Sequence, residues 1–180
     1  MKIDRGKSVL LVIDMQARVL DLIPEHAQIH ARCAGLIDLA NDLGVPVLLS
    51  THYARGLGEV LPDLAARVAD GSVVHKAHFS CVEGGCFEGR AEASRQQWIL
   101  CGIEAHACVM LTALDLAAAG KDVFVVSDAI AARADEDRQV ALQRMAAAGI
   151  TAVTREMVFF EWLRRAGTPE FKECSRKYLR

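Results

Sequence analysis

Three side chains of this sequence are of types that do chemistry together, and each follows a short apolar run. Asp14 closes Leu10-Leu11-Val12-Ile13-Asp14-Met15-Gln16, and Lys76 closes Val73-Val74-His75-Lys76. Cys108 ends Cys101-Gly102-Ile103-Glu104-Ala105-His106-Ala107-Cys108. A carboxylate beside a thiol can take its proton as a general base and return it to a departing amine as a general acid. An ammonium a few ångströms away favours both carboxylate and thiolate over their neutral forms. Cys108 leads into an Ala- and Leu-rich segment, which places it at a helix N-terminus. There the helix dipole and free backbone N–H groups favour thiolate and can hold an oxyanion. Taken singly, the three residues are ordinary: an Asp after a strand also caps helices, a Lys also sits in solvated loops, and a Cys also packs inside a helix. Their joint placement at three strand ends is what points to a site.

The elements that must position them follow from periodicity. Apolar runs at residues 8–13, 45–49, 72–75, 97–101, 122–126 and 150–153 read as strands. Segments 24–43, 60–68, 88–95, 108–119, 135–148, 155–165 and 169–179 read as helices, with Asp135 as the N-cap of the fifth. Near-continuous apolar strands alternating with helices indicate a parallel sheet covered on both faces. The expected fold is α/β: a three-layer Rossmann-like domain with a six-stranded parallel sheet between helices, one domain over residues 1–180. In such a sheet the carboxyl ends of the strands share one edge, where ligands bind.

Composition narrows the function classes. A net charge of -2 gives no electrostatic footprint for nucleic acid or an anionic membrane surface. No apolar run reaches the roughly 18 residues that span a bilayer, and the first residues lack a signal-peptide pattern, so the expected location is cytoplasmic. The six cysteines form no CxxC pair and no metal-finger spacing, and are expected as reduced thiols. No GxGxxG or GxxxxGK[ST] occurs, so no cofactor is expected. The expected partner is a small-molecule substrate. A 52% hydrophobic chain with two helices after its last strand is also expected to form a homo-oligomer.

The pieces VLLVIDMQ, HKAHFS and LCGIEAHACVMLTALDLAAAGKDVFVVSDA resemble the isochorismatase-like cysteine hydrolases. That superfamily includes nicotinamidases and N-carbamoylsarcosine amidohydrolases. The loop Tyr53-Ala54-Arg55-Gly56-Leu57-Gly58 and the tail Pro169-Glu170-Phe171-Lys172-Glu173 are similar to an isochorismatase-domain subgroup. The resemblance implies a triad of Asp14, Lys76 and Cys108, a cis peptide between Ile103 and Glu104, and an oxyanion hole made by the N–H groups of Glu104 and Cys108. It implies hydrolysis of a small amide-like C–N bond through a thioester. Where nicotinamidases carry a metal-binding Asp-x-His, this chain reads Ser50-Thr51-His52, so no metal is expected. Gln16, Tyr53, Phe79 and His106 are candidate pocket residues. The alternatives are vinyl-ether hydrolysis of the isochorismatase type, which a cysteine nucleophile disfavours, and a non-catalytic thiol sensor or ligand-binding protein.

Overall fold

The computed structural model describes residues 1–179. In chain order the elements are β1 (Ser8–Ile13), α1 (Ala17–Leu20), α2 (His26–Asp42), β2 (Val47–His52), α3 (Ala54–Leu57), α4 (Pro62–Ala65) and β3 (Val73–Lys76). Then follow β4 (Gln97–Ile103), α5 (Met110–Ala118), β5 (Asp122–Ala131), α6 (Asp135–Ala147), β6 (Thr151–Val153), α7 (Arg155–Leu163) and α8 (Pro169–Tyr178). All six strands are parallel, in the order β3-β2-β1-β4-β5-β6. The chain builds outward from β1 in one direction and from β4 in the other. The switch point therefore lies between the carboxyl ends of β1 and β4, and a crevice opens there.

Strand alternation divides the core into two layers. Leu10 and Val12 of β1 join Ile29, Cys33 and Ile37 of α2 and Trp162 of α7 on one face. Val9, Leu11 and Ile13 join Leu116 of α5 and Met145 of α6 on the other. Helices on both faces make three layers, with β1 buried throughout. Among the described residues no helix is long and apolar enough to cross a membrane.

Several element bounds differ from the sequence reading. The strand expected at 45–49 runs instead from Val47 to His52, so Ser50, Thr51 and His52 belong to the sheet. Pairing with β1 on one side and β3 on the other carries it through polar residues. The helix expected at 60–68 is a single turn begun by Pro62. The helix expected at 88–95 is a set of turns with one 3₁₀ turn at Ala91–Ser94, because Gly89 interrupts the segment. Asp135 is the first helical residue of α6, not its cap; it accepts hydrogen bonds from Arg138 and Gln139 one turn on.

One glycine fixes how closely the two central strands meet. Gly102 has φ +110°, and a Cβ there would lie 2.2 Å from the Ile13 carbonyl oxygen. That contact is with backbone, so no side-chain rotation relieves it. Gly102→Ala is expected to destabilise the protein by more than the usual ~1–3 kcal/mol of an overpacked core, because the left-handed backbone adds strain. Chemical denaturation measures this, and a variant as stable as the parent would contradict the packing described.

Candidate active site

The site assembles at the switch point. Asp14, just past β1, has a left-handed backbone with φ 52°, a region Asp tolerates better than most residues. Lys76 Nζ donates to Asp14 Oδ2 at 2.6 Å, and the two side chains are 0% and 4% exposed. Register explains the reach. Lys76 pairs with His52 of β2, and Ser50 of β2 pairs with Ile13 of β1, so the lysine side chain extends across one strand. Ser50 Oγ donates to Asp14 Oδ1 at 2.6 Å, so both carboxylate oxygens are held.

Cys108 is buried in a single π-helical turn, Ala105–Val109, between β4 and α5. An Asp14 oxygen, the Cys108 Sγ and a ring nitrogen of His52 lie within 4.8 Å of one another. The peptide between Ile103 and Glu104 is cis. A cavity of about 240 Å³ opens over these groups, walled by Val19, Leu22, Leu57 and Phe79 and bordered by Arg18 and Arg133. Arg133 Nε donates to Glu104 Oε1 at 2.7 Å.

The protonation states differ from the sequence reading at one point. Burial pulls the Lys76 ammonium down, but its partners, the Asp14 carboxylate foremost, outweigh it and hold Lys76 above its ordinary value. Cys108, expected to be shifted toward thiolate, is instead pushed up to about 12. Burial is the main cause and the Asp14 charge adds to it, while Lys76 opposes both. A π turn preceding the helix, closed over by the core, leaves the sulfur more desolvated than stabilised. His52 is pushed down by burial and by Lys76, with Asp14 opposing, which favours the neutral ring.

The four candidate pocket residues separate. Phe79 lines the cavity, its ring against His52 at 5.2 Å between centroids. Gln16 also borders it, but its amide is committed to backbone: Nε2 donates to the carbonyls of His52 and Gly58, and Oε1 accepts from the His52 N–H. It ties the β1 end to the loop after β2. Tyr53 does not line the cavity; its ring is exposed and covers Gly56, where a Cβ would lie 2.2 Å from it. His106 does not line it either and is half-buried in the π turn. Ser50, Arg18 and Arg133 were missed. A hydroxyl inside the apolar run Val47-Leu48-Leu49-Ser50 was the available signal for Ser50. Nothing local marks the two arginines.

Asp14, His52 and Cys108 have the spacing of a cation trio. The Lys76 ammonium already occupies Asp14 Oδ2 and Ser50 occupies Oδ1, so a dication would sit directly against a fixed positive charge.

Fold and site together define an α/β protein that sets a carboxylate, an ammonium and a thiol at the switch point of a parallel sheet. Comparison with known proteins gives this class a name. Residues 8–157 match the family described as the Isochorismatase domain, and the chain belongs to that family, whose members are hydrolases. It is 36% identical to mouse isochorismatase domain-containing protein 2B over 169 residues, covering 94% of this chain and 80% of that one. A structure described as the MAR1 ribonuclease of Caenorhabditis elegans superposes with a TM-score of 0.91 at 32% identity, covering 100% of this chain and 93% of the other. The YcaC protein of Escherichia coli, described as an octameric hydrolase of unknown specificity, superposes with a TM-score of 0.91 at 25% identity, covering 99% and 91%.

The charges around Cys108 make a signed prediction. Asp14 pushes the thiol up and Lys76 draws it down. Asp14→Asn should therefore speed iodoacetamide alkylation of Cys108 near neutral pH, and Lys76→Met should slow it. Site-resolved mass spectrometry of alkylation rates reads both. Unchanged rates would mean that the thiol does not feel these two charges, and the opposite order would contradict their signs.

Proposed function

We propose that this protein hydrolyses a small amide-like C–N bond with Cys108 as nucleophile, Asp14 as proton carrier and Lys76 as the cation that holds their charges. The observation that carries this reading is the Asp14 carboxylate, held by Lys76 and Ser50 beside the buried Cys108 thiol. As the sulfur attacks a substrate carbonyl, Asp14 takes its proton. A C–S bond forms and the carbonyl oxygen becomes an oxyanion. The backbone N–H groups of Glu104 and Cys108 receive it. Collapse breaks the C–N bond, and Asp14 delivers the proton to the departing amine. Water then attacks the thioester, giving one proton to Asp14, which returns it to the Cys108 sulfur. The cycle calls for no metal and no cofactor.

A cavity of about 240 Å³ with mostly apolar walls suits a small substrate. The ribonuclease description belongs to the C. elegans relative; a net charge of -2 does not favour RNA for this chain. The same reading takes residues 1–180 as one cytoplasmic domain that works as a homo-oligomer. The octameric E. coli relative supports assembly, as do the half-exposed Met157 and Phe160 on α7. Sedimentation should find more than the 19.6 kDa protomer, and the protomer alone would remove this part.

The decisive experiment is a turnover panel of small carboxamides, ureido acids, isochorismate and RNA. An amide-type substrate should be cleaved. Asp14→Asn should lower its kcat by about 10²–10⁴, the usual worth of general acid–base catalysis. Cys108→Ser should abolish turnover while leaving the fold intact, and chelators should leave the rate unchanged. Turnover of isochorismate that survives Cys108→Ser would replace this mechanism with vinyl-ether hydrolysis. A rate lost on chelation and restored by zinc would overturn the metal-free reading.

A further inference from the structure

Behind Lys76 lies a pair of thiols that the proposed reaction does not use. Residues 80–89 form consecutive turns, in which the Cys86 N–H donates to the Cys81 carbonyl at 3.0 Å and closes the chain between the two cysteines, both in the same buried cluster. Cys81 is 0% exposed and Cys86 8%. This loop is fastened to the elements of the site at three points. The Cys81 N–H donates to Thr112 Oγ1 of α5 at 3.0 Å. The Cys86 thiol donates to the carbonyl of His75, the neighbour of Lys76, at 3.8 Å. A Cβ at Gly84 would lie 2.9 Å from the Lys76 Cβ, so the loop rests on the lysine with no room to spare.

The two thiols are electrostatically unequal. Contact with Cys86 and burial push Cys81 up. Contact with Cys81 draws Cys86 down, and Lys76 adds to this against the effect of burial. Cys86 is thus both the more exposed sulfur and the more acidic, as an attacking thiol should be.

We propose that Cys81 and Cys86 are a modification site: a dithiol that hydroperoxides oxidise to a disulfide, with loss of activity through Lys76. The Cys86 thiolate attacks one peroxide oxygen; an S–O bond forms, the O–O bond breaks, and hydroxide leaves and takes up a proton. The Cys81 sulfur then attacks the Cys86 sulfenic acid. An S–S bond forms, the S–O bond breaks, and the departing hydroxide carries off the Cys81 proton as water. Two thiols are oxidised and one hydrogen peroxide is reduced to two waters. The bond draws the sulfurs to about 2.05 Å and takes Cys86 away from the His75 carbonyl. With Gly84 against Lys76, the shift reaches the Lys76–Asp14 contact. This consequence for activity rests on the role proposed for Lys76; the oxidation itself does not.

A second thiol pair in the protein is an internal control. Cys33 of α2 and Cys101 of β4 also adjoin, but both are 0% exposed within the sheet–helix core. Hydrogen peroxide applied to the full-length Cys108→Ser protein, followed by alkylation, digestion and mass spectrometry, should yield a Cys81–Cys86 linked peptide. Cys33 and Cys101 should remain reduced, and dithiothreitol should reverse the link. Absence of that peptide, or equal oxidation of the core pair, overturns the site whether or not a substrate is known. In wild-type protein the linked form should lose most of its turnover and regain it on reduction, while Cys86→Ser and Cys86→Ala lose this reversible component. A linked wild-type enzyme with full activity overturns the coupling to Lys76.

Discussion

The ion pair between Lys76 and Asp14 is the constraint on which the rest of the site depends. Two charges 2.6 Å apart and almost wholly removed from water are stable only together. Removing one partner of such a pair typically costs about 3–5 kcal/mol, because the other is left uncompensated. The surrounding structure is arranged to keep them matched. Ser50 satisfies the second carboxylate oxygen, the register of three strands brings the ammonium across β2, and Gly84 packs against the lysine stem. Gly102 lets β4 close on β1, which carries Cys108 to the same edge.

This arrangement changes the role of the cysteine. A thiolate formed beside Asp14 would add a second negative charge to a buried site that holds one cation. The resting proton therefore stays on sulfur, with the thiol pushed up to about 12. The site is neutral at rest and stores its reactivity in proximity. The Asp14 carboxylate, proposed as the base, is already within 4.8 Å, and the Lys76 ammonium is already bound to it. In the proposed reaction thiolate forms only as the carbonyl is attacked, which would spare the protein a reactive anion between turnovers.

Much of this was legible in the sequence, for physical reasons. The six apolar runs had to be strands of a sheet covered on both faces, because continuous burial leaves no polar side. Parallel strands share one carboxyl edge, so Asp14, Lys76 and Cys108, each at or just past the end of a strand, had to lie along it. What was not legible depends on contacts distant in the chain. Ser50 became a ligand of Asp14 only once β2 was seen to continue past Leu49 and pair with β1. Tyr53 and Phe79 read alike as aromatic residues after strand ends, yet one covers Gly56 and the other faces the cavity. The helix-dipole argument for a thiolate failed because it counted the nearby N–H groups and not the desolvation of the sulfur, which only the packed structure reveals.

The account turns on where the proton of Cys108 rests before substrate arrives. Infrared difference spectroscopy of wild-type protein against Cys108→Ser, recorded through neutral and mildly alkaline pH, reports the S–H stretch of that one thiol. A persistent S–H band across this range in the wild-type protein, lost at lower pH in Asp14→Asn than in the wild type, is the predicted result. A band already absent at neutral pH in the wild-type protein would mean a resting thiolate, and would contradict the assignment of Asp14 as the group that takes the proton.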